Sequence, residues 1–200
     1  SRIQIDGLTI TAAPNSDPTI TVDADEVPGS DRILDIGGSN VEFSGIDIEG
    51  PGRGTGTGIH LGIEDSSSNI IVSEVEIQNV LTGIQTSTTT EATIENNNIS
   101  GAVVGISLQD DGATVSGNTI ENLADANGFP AEGVGVLGTA HTFEQNSYNT
   151  DTNVTDIRIY NDEVPVINGD DSGSEVSVAN TILDDTGASS VQFNGESGVY

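Results

Sequence analysis

In 200 residues the sequence has no cysteine, methionine, tryptophan or lysine. Without cysteine there is no disulfide framework and no thiolate for catalysis or metal binding, and the redox compartment leaves no mark. The only cations besides the N-terminus and two histidines are Arg2, Arg32, Arg53 and Arg158. Nucleic acid is therefore excluded as a partner, because phosphate backbones call for clustered basic side chains. No stretch approaches the 18 or so apolar residues of a membrane span. Nor is there a helical periodicity to set against the abundance of Gly, Asn, Thr and Ile. The sequence opens on Ser1-Arg2-Ile3-Gln4-Ile5, already inside a strand pattern and with no signal peptide, so we expect a mature or excised piece of a longer protein.

What is abundant is acid. Asp and Glu number 32 against four Lys plus Arg, for a net charge of -28. Such a chain repels itself in dilute buffer, whereas molar salt shortens the Debye length to about 3 Å and screens most of that repulsion. The lysine-free acidic composition resembles that of proteins from extremely halophilic archaea, and the expected setting is brine. A mesophilic surface protein that binds cations is the alternative, with calcium or monovalent ions as its cofactors.

The order in the sequence is a repeat. Val72, Val75 and Ile77 are spaced three then two, and so are Ile94, Asn97, Ile99 and Val115, Asn118, Ile120. Val72 to Ile94 is 22 residues and Ile94 to Val115 is 21. The frame recurs as Ile5, Leu8, Ile10, as Phe43, Ile46, Ile48, and as Phe143, Asn146, Tyr148. The two residues inside each three-step are polar or glycine and read as a corner. The two-step reads as a strand with alternate residues inward, and Gly83-Ile84 and Gly105-Ile106 open another strand. Three short strands and three turns per rung give a solenoid of stacked rungs.

The Asn-x-Ile triplets beginning at Asn97, Asn118 and Asn180, with the glycine-led strands, make the chain resemble the right-handed parallel β-helix repeat family over roughly residues 3–182. Pectate lyases and polygalacturonases are its best-known enzymes, and viral tailspikes and surface proteins also belong to it. The resemblance implies an all-β, right-handed, single-stranded parallel β-helix of seven or eight rungs. We expect one domain over 1–200: an irregular first rung in 1–40, regular rungs in 41–148 and looser terminal rungs in 149–200. About the catalytic residues the resemblance is discouraging. Asn149-Thr150-Asp151 and Asp170-Asp171 match two polygalacturonase strings, but no Gly-His-Gly follows, and Arg158-Ile159-Tyr160 precedes the second aspartate pair and lacks the lysine.

Candidate sites come from the rungs. Asn97, Asn118 and Asn146 share one frame position and Asn180 matches its context, so they form a structural ladder of buried amides. The steps Phe43 to Val72 (29 residues) and Val115 to Phe143 (28) carry insertions at one corner, residues 50–57 and 124–131. Loops at one corner project from one face, here walling a groove about 14 Å wide at about 4.8 Å per rung. Arg53 and Phe129 stand on its walls and Asn79 and Thr82 on its floor; a glycan or a protein would be its ligand. Asp47 and Glu76 share an outward column and could hold a cation. Residues 168–173 resemble part of a calcium loop but lack its distal glutamate. Asn98 and Asn153 head glycosylation sequons. His60 and His141 show no metal-ligand spacing.

These observations favour an extracellular structural or binding solenoid on a cell surface, virion or filament, with surface glycans, proteins or neighbouring copies of itself as partners. The alternative is a polysaccharide lyase or glycoside hydrolase, or a fragment of one.

Overall fold

The computed structural model describes residues 1–23, 31–62, 67–138, 140–149, 154–160, 176–179 and 191–193. Every named strand pairing among them is parallel, and three sheets run the length of a solenoid. Sheet 1 stacks Arg2–Gln4, Arg32–Gly37, Thr57–Leu61, Thr82–Thr86, Val104–Leu108, Glu132–Val136, Thr155–Ile159 and Val191–Phe193. Sheet 2 stacks Thr9–Thr11, Ser39–Ser44, Ser67–Ser73, Thr93–Glu95, Thr114–Ser116, His141–Glu144 and Val176–Ala179. Sheet 3 comprises Thr19–Thr21, Asp47–Glu49, Glu76–Gln78, Asn98–Ser100, Thr119–Glu121 and Ser147–Asn149. Six rungs thus close with all three strands among the described residues, fewer than the seven or eight expected; sheets 1 and 2 carry the stack further.

The three-then-two frame marks the passage from sheet 2 to sheet 3. Phe43, Val72, Ile94, Val115 and Phe143 stack in register in sheet 2, and Ile48, Ile77, Ile99, Ile120 and Tyr148 in sheet 3. All ten are buried in one continuous core. Between the two sheets the chain turns through a left-handed residue in each of these rungs: Gly45, Glu74, Asn96, Gly117 and Gln145, at φ between 56° and 64°. Glycine and asparagine accept that region at least cost, whereas Glu74 and Gln145 hold it under the constraint of the stacked corner.

The first rung departs from the frame. Ile10, not Ile5, pairs with Phe43, and Ile20 pairs with Ile48. Ile5 is 59% exposed, and Gly7 turns at the sheet 1 to sheet 2 corner, where its amide donates to Ser39 O at 2.8 Å. The copy is therefore Ile10 to Ile20, with its corner lengthened by the stretch around Pro14 and Pro18, and the run Thr19–Thr21 is the third strand of that irregular first rung.

Four successive strands of sheet 1 carry a glycine at their second position: Gly58, Gly83, Gly105 and Gly133. A Cβ on Gly83 would lie 2.5 Å from Gly105 O and 2.6 Å from Ile99 Cγ2, and one on Gly105 would meet Gly133 O at 2.5 Å. Only a bare backbone lets the next rung approach so closely.

Inside the sheet 2 to sheet 3 corner, Asn97 Nδ2 donates to Asn118 Oδ1 at 3.0 Å and Asn118 Nδ2 to Asn146 Oδ1 at 2.9 Å. The same side-chain oxygens accept the backbone amides of Asn97 and Asn118, and the second amide hydrogens reach Val72 O, Ile94 O and Val115 O. Asn97 Oδ1 ends the run on the amide of Val75, where the column turns aliphatic. Asn180 lies outside the described residues. Replacing Asn118 by alanine removes the oxygen that accepts both the backbone amide and a side-chain hydrogen of buried Asn97. Buried polar groups left unpaired cost about 1–3 kcal/mol each, so Asn118→Ala should cost about 3 kcal/mol or more in a denaturant titration. A loss below about 1 kcal/mol would show that the ladder contributes little.

Candidate functional site on the outer face of sheet 1

The loops at 50–57 and 124–131 meet. Arg53 reaches away from its own rung, its Nε donating to Gly101 O at 3.2 Å and its NH2 to Asn122 O at 2.6 Å. Asn127 Nδ2 donates to Gly54 O at 2.9 Å. The expected open groove is bridged, and the guanidinium is spent on the carbonyls of two rungs. Asn79 turns its amide to Glu49 Oε1 at 2.8 Å, Thr82 is buried in a sheet 1 strand, and Phe129 stays exposed at the tip of its loop.

The outward acids are also engaged. Asp47 Oδ1 accepts the Glu76 amide at 2.9 Å, and Gln78 Nε2 donates to Glu76 Oε1. Among the described residues no group of three or more His, Cys, Asp or Glu is gathered for a metal ion; the calcium-like stretch 168–173 lies outside them. The Asn98 sequon falls mid-strand in sheet 3, half-buried with Oδ1 shut from solvent, and not in a surface loop. Asn153 and Asp151 lie outside the described residues.

The chemically developed surface is the outer face of sheet 1. Its strands place His60, Gln85, Ser107, Gly135 and Arg158 in one register column. At about 4.8 Å per rung the column runs about 19 Å. A residue inward of each column position, such as Ile59, Ile84, Ile106, Val134 and Ile157, anchors the strand in the core.

At the far end of this column Glu132, Arg158 and Tyr160 form one cluster. Tyr160 Oη donates to Glu132 Oε2 at 2.6 Å, Arg158 NH1 lies 3.5 Å from the same oxygen, and Arg158 NH2 donates to Thr155 Oγ1 at 3.1 Å. The gap at Gly135 makes this possible, since a Cβ there would stand 2.3 Å from Glu132 Oε1 and 3.4 Å from Tyr160 Cε2. Burial pushes the Glu132 carboxyl upward, opposed by the tyrosine hydrogen bond and the guanidinium. The Tyr160 phenol is raised by burial and then by its bond to Glu132, so it stays protonated at neutral pH. Tyr160 nevertheless remains 36% exposed. The result is a fixed polar pair on a rigid sheet, an arginine beside a phenol whose hydrogen is held by Glu132 and whose oxygen can still accept.

At the near end, His60 Nε2 lies 2.7 Å from Ser87 Oγ and His60 Nδ1 lies 3.0 Å from Asp35 Oδ1. Sequence spacing gave neither cluster away. Glu132 and Tyr160 are 28 residues apart and His60 and Ser87 are 27 apart, each about one rung. Reading outward positions of sheet 1 strands against the rung length would have shown both.

A family described as "Right handed beta helix region" matches residues 4–148. Among solved structures, the crystal structure of alginate lyase from Paenibacillus sp. str. FPU-7 superposes with a TM-score of 0.52 at 13% identity, covering 97% of this chain and 87% of that one. No curated protein matches the sequence.

Arg53→Ala should leave the melting temperature nearly unchanged while amide exchange at Gly52 and Gly54 accelerates, because these amides are held to Asn79 O and Val80 O by a loop that has lost its strap. Unchanged protection would mean that the arginine contacts do not hold the loop. The parallel pairing, the three-sheet rung and the match over most of the sequence make this chain a member of the right-handed β-helix family.

Proposed function

We propose that this chain is a glycan-binding β-solenoid of an exported or cell-surface assembly, and that it holds an extended polysaccharide along the outer face of sheet 1. The observation that carries the reading is the Glu132–Arg158–Tyr160 cluster, a tyrosine ring and a guanidinium fixed over the notch at Gly135. A half-exposed aromatic ring can pack on a sugar face while the guanidinium donates to its hydroxyls and the phenol oxygen accepts from them. Gln85 and Ser107 continue the polar column toward His60, which suits a linear polymer better than a compact ligand. With a net charge of -28, a neutral or weakly acidic glycan meets less repulsion than a polyuronate except in strong salt. The lysine-free, acidic composition supports a salt-rich setting, in which virion and filament locations also fit.

A second reading is a polysaccharide lyase or hydrolase, and the same cluster favours it. Elimination beside a uronate carboxylate requires a cation to neutralise that group, a base and an acid. Arg158, Glu132 and the protonated Tyr160 are of those three kinds.

Affinity electrophoresis against neutral and uronate polysaccharides in molar potassium chloride tests both. Tyr160→Phe and Arg158→Gln should each weaken retention by about tenfold or more with circular dichroism unchanged, whereas Arg53→Ala should not. Equal retention of all variants would remove the face from consideration. Accumulation of unsaturated product from a uronate polymer, lost in Tyr160→Phe, would replace the binding reading with the lyase.

A further inference from the structure

His60 is 1% exposed, yet both ring nitrogens face polar side chains from neighbouring rungs. Asp35 comes from the rung before, paired in register with His60, and Ser87 from the rung after, one residue beyond the strand Thr82–Thr86. The heavy atoms decide where the protons sit. Asp35 Oδ1 accepts only, and it stands 3.0 Å from Nδ1, off the line of a straight hydrogen bond. A bare Nδ1 lone pair at that distance would repel the carboxylate, so Nδ1 carries the hydrogen. In the neutral ring Nε2 is then an acceptor, and the 2.7 Å contact requires the Ser87 hydroxyl to donate to it. The second contact of that hydroxyl, to Gly62 O at 3.3 Å, is the longer one.

The charged groups acting on the ring are Arg32 and Asp35, both from the preceding strand; Arg32 also lies 3.4 Å from Asp35 Oδ1. The next column position, Gln85, is neutral. Burial, and then Arg32, hold the imidazole below its ordinary value in spite of Asp35. It is therefore unprotonated at neutral pH and able to take a proton. Ser87 itself is half-exposed, beside the exposed Thr88.

We infer that Ser87 is a nucleophile activated by His60, with Asp35 positioning the ring, and that it accepts the acyl group of a small carboxylic ester. The three roles are those of a hydroxyl, its base and the carboxylate that orients the base. Ser87 Oγ attacks the ester carbonyl as its proton passes to His60 Nε2. The bond from the acyl carbon to the alcohol oxygen breaks, and the departing alcohol takes that proton. Water then attacks the acyl-serine, giving its proton to His60, and Ser87 Oγ leaves and recovers it. The net change is ester plus water to alcohol plus carboxylic acid. The acyl group is taken to be a small one because Ser87 is only half-exposed and its hydroxyl lies beside Gly62 O. This inference stands independently of glycan binding.

The full chain, treated in molar potassium chloride with a small fluorophosphonate, should gain a single phosphonyl group mapped to Ser87 and none on Ser107, the serine on the same face. Labelling should fall at least 100-fold in His60→Gln and about tenfold in Asp35→Asn. In the wild type its rate should reach half-maximum below the ordinary histidine value of 6.5. Hydrolysis of 4-nitrophenyl acetate should vanish in Ser87→Ala. Absence of the adduct, or an equal rate in His60→Gln, would overturn the inference. Should the histidine variant fail to fold, Ser87→Cys keeps the question open to measurement. Its thiol should react with iodoacetamide at pH 6 at least tenfold faster than that of Ser107→Cys, and equal rates would likewise overturn it.

Discussion

Axial hydrogen bonding between identical parallel strands is the constraint from which the rest of this structure follows. Each rung satisfies its backbone through the rung before and the rung after, so a residue's neighbours are the ones a full turn away in sequence. A side chain that suits one rung must suit the next: an aliphatic residue stands on an aliphatic residue and a glycine on a glycine. The asparagine ladder is the polar version of that rule. The Oδ1 atoms of Asn118 and Asn146 each take two donors from the rung before, and the Nδ2 groups of Asn97 and Asn118 divide their hydrogens between the next ladder oxygen and a backbone carbonyl. A buried amide alone would be a liability, whereas in a column its groups are paired.

The same constraint explains what could be read from the sequence. Phe43 to Tyr148 keeps constant corner lengths between sheets 2 and 3, so the spacing of its apolar residues maps directly onto stacked positions. The first rung hid itself because its corner is longer. Ile10 and Ile20 are ten positions apart instead of five, while Ile5, Leu8 and Ile10 mimic the frame by coincidence. The insertions at 50–57 and 124–131 are legible as loops of one corner, but their contact with each other is not. Sequence cannot show that Arg53 will reach three rungs onward to Asn122 O, and that contact, with Asn127 on Gly54 O, turns two walls into a bridge.

The outward residues followed a different logic. A core position announces itself by hydrophobicity, but an outward histidine, serine or glutamate looks like any solvated residue until its rung neighbour is known. Gly135 is the plainest case. It breaks the column of outward side chains, and the space so freed lets Glu132 lie beneath Tyr160 and beside Arg158. Asp35, His60 and Ser87 meet because each lies on a successive rung of sheet 1 or at its end. The fold supplies a straight, rigid face, and the chemistry on that face is set by which residues share its columns.

The register of sheet 1 carries the fold and both outward clusters, and the absence of native cysteine makes it directly measurable. Gln85 and Ser107 are in-register neighbours, whereas Gln109 lies two residues beyond Ser107. Adjacent Cα atoms in register fall within the roughly 4.4–6.8 Å that a disulfide bridges. The double variant Gln85→Cys, Ser107→Cys should close a disulfide under mild oxidation in the folded state, and Gln85→Cys, Gln109→Cys should retain two free thiols. Faster closure of the second pair than of the first would contradict the register, and with it the placing of His60 against Ser87 and of Glu132 against Tyr160.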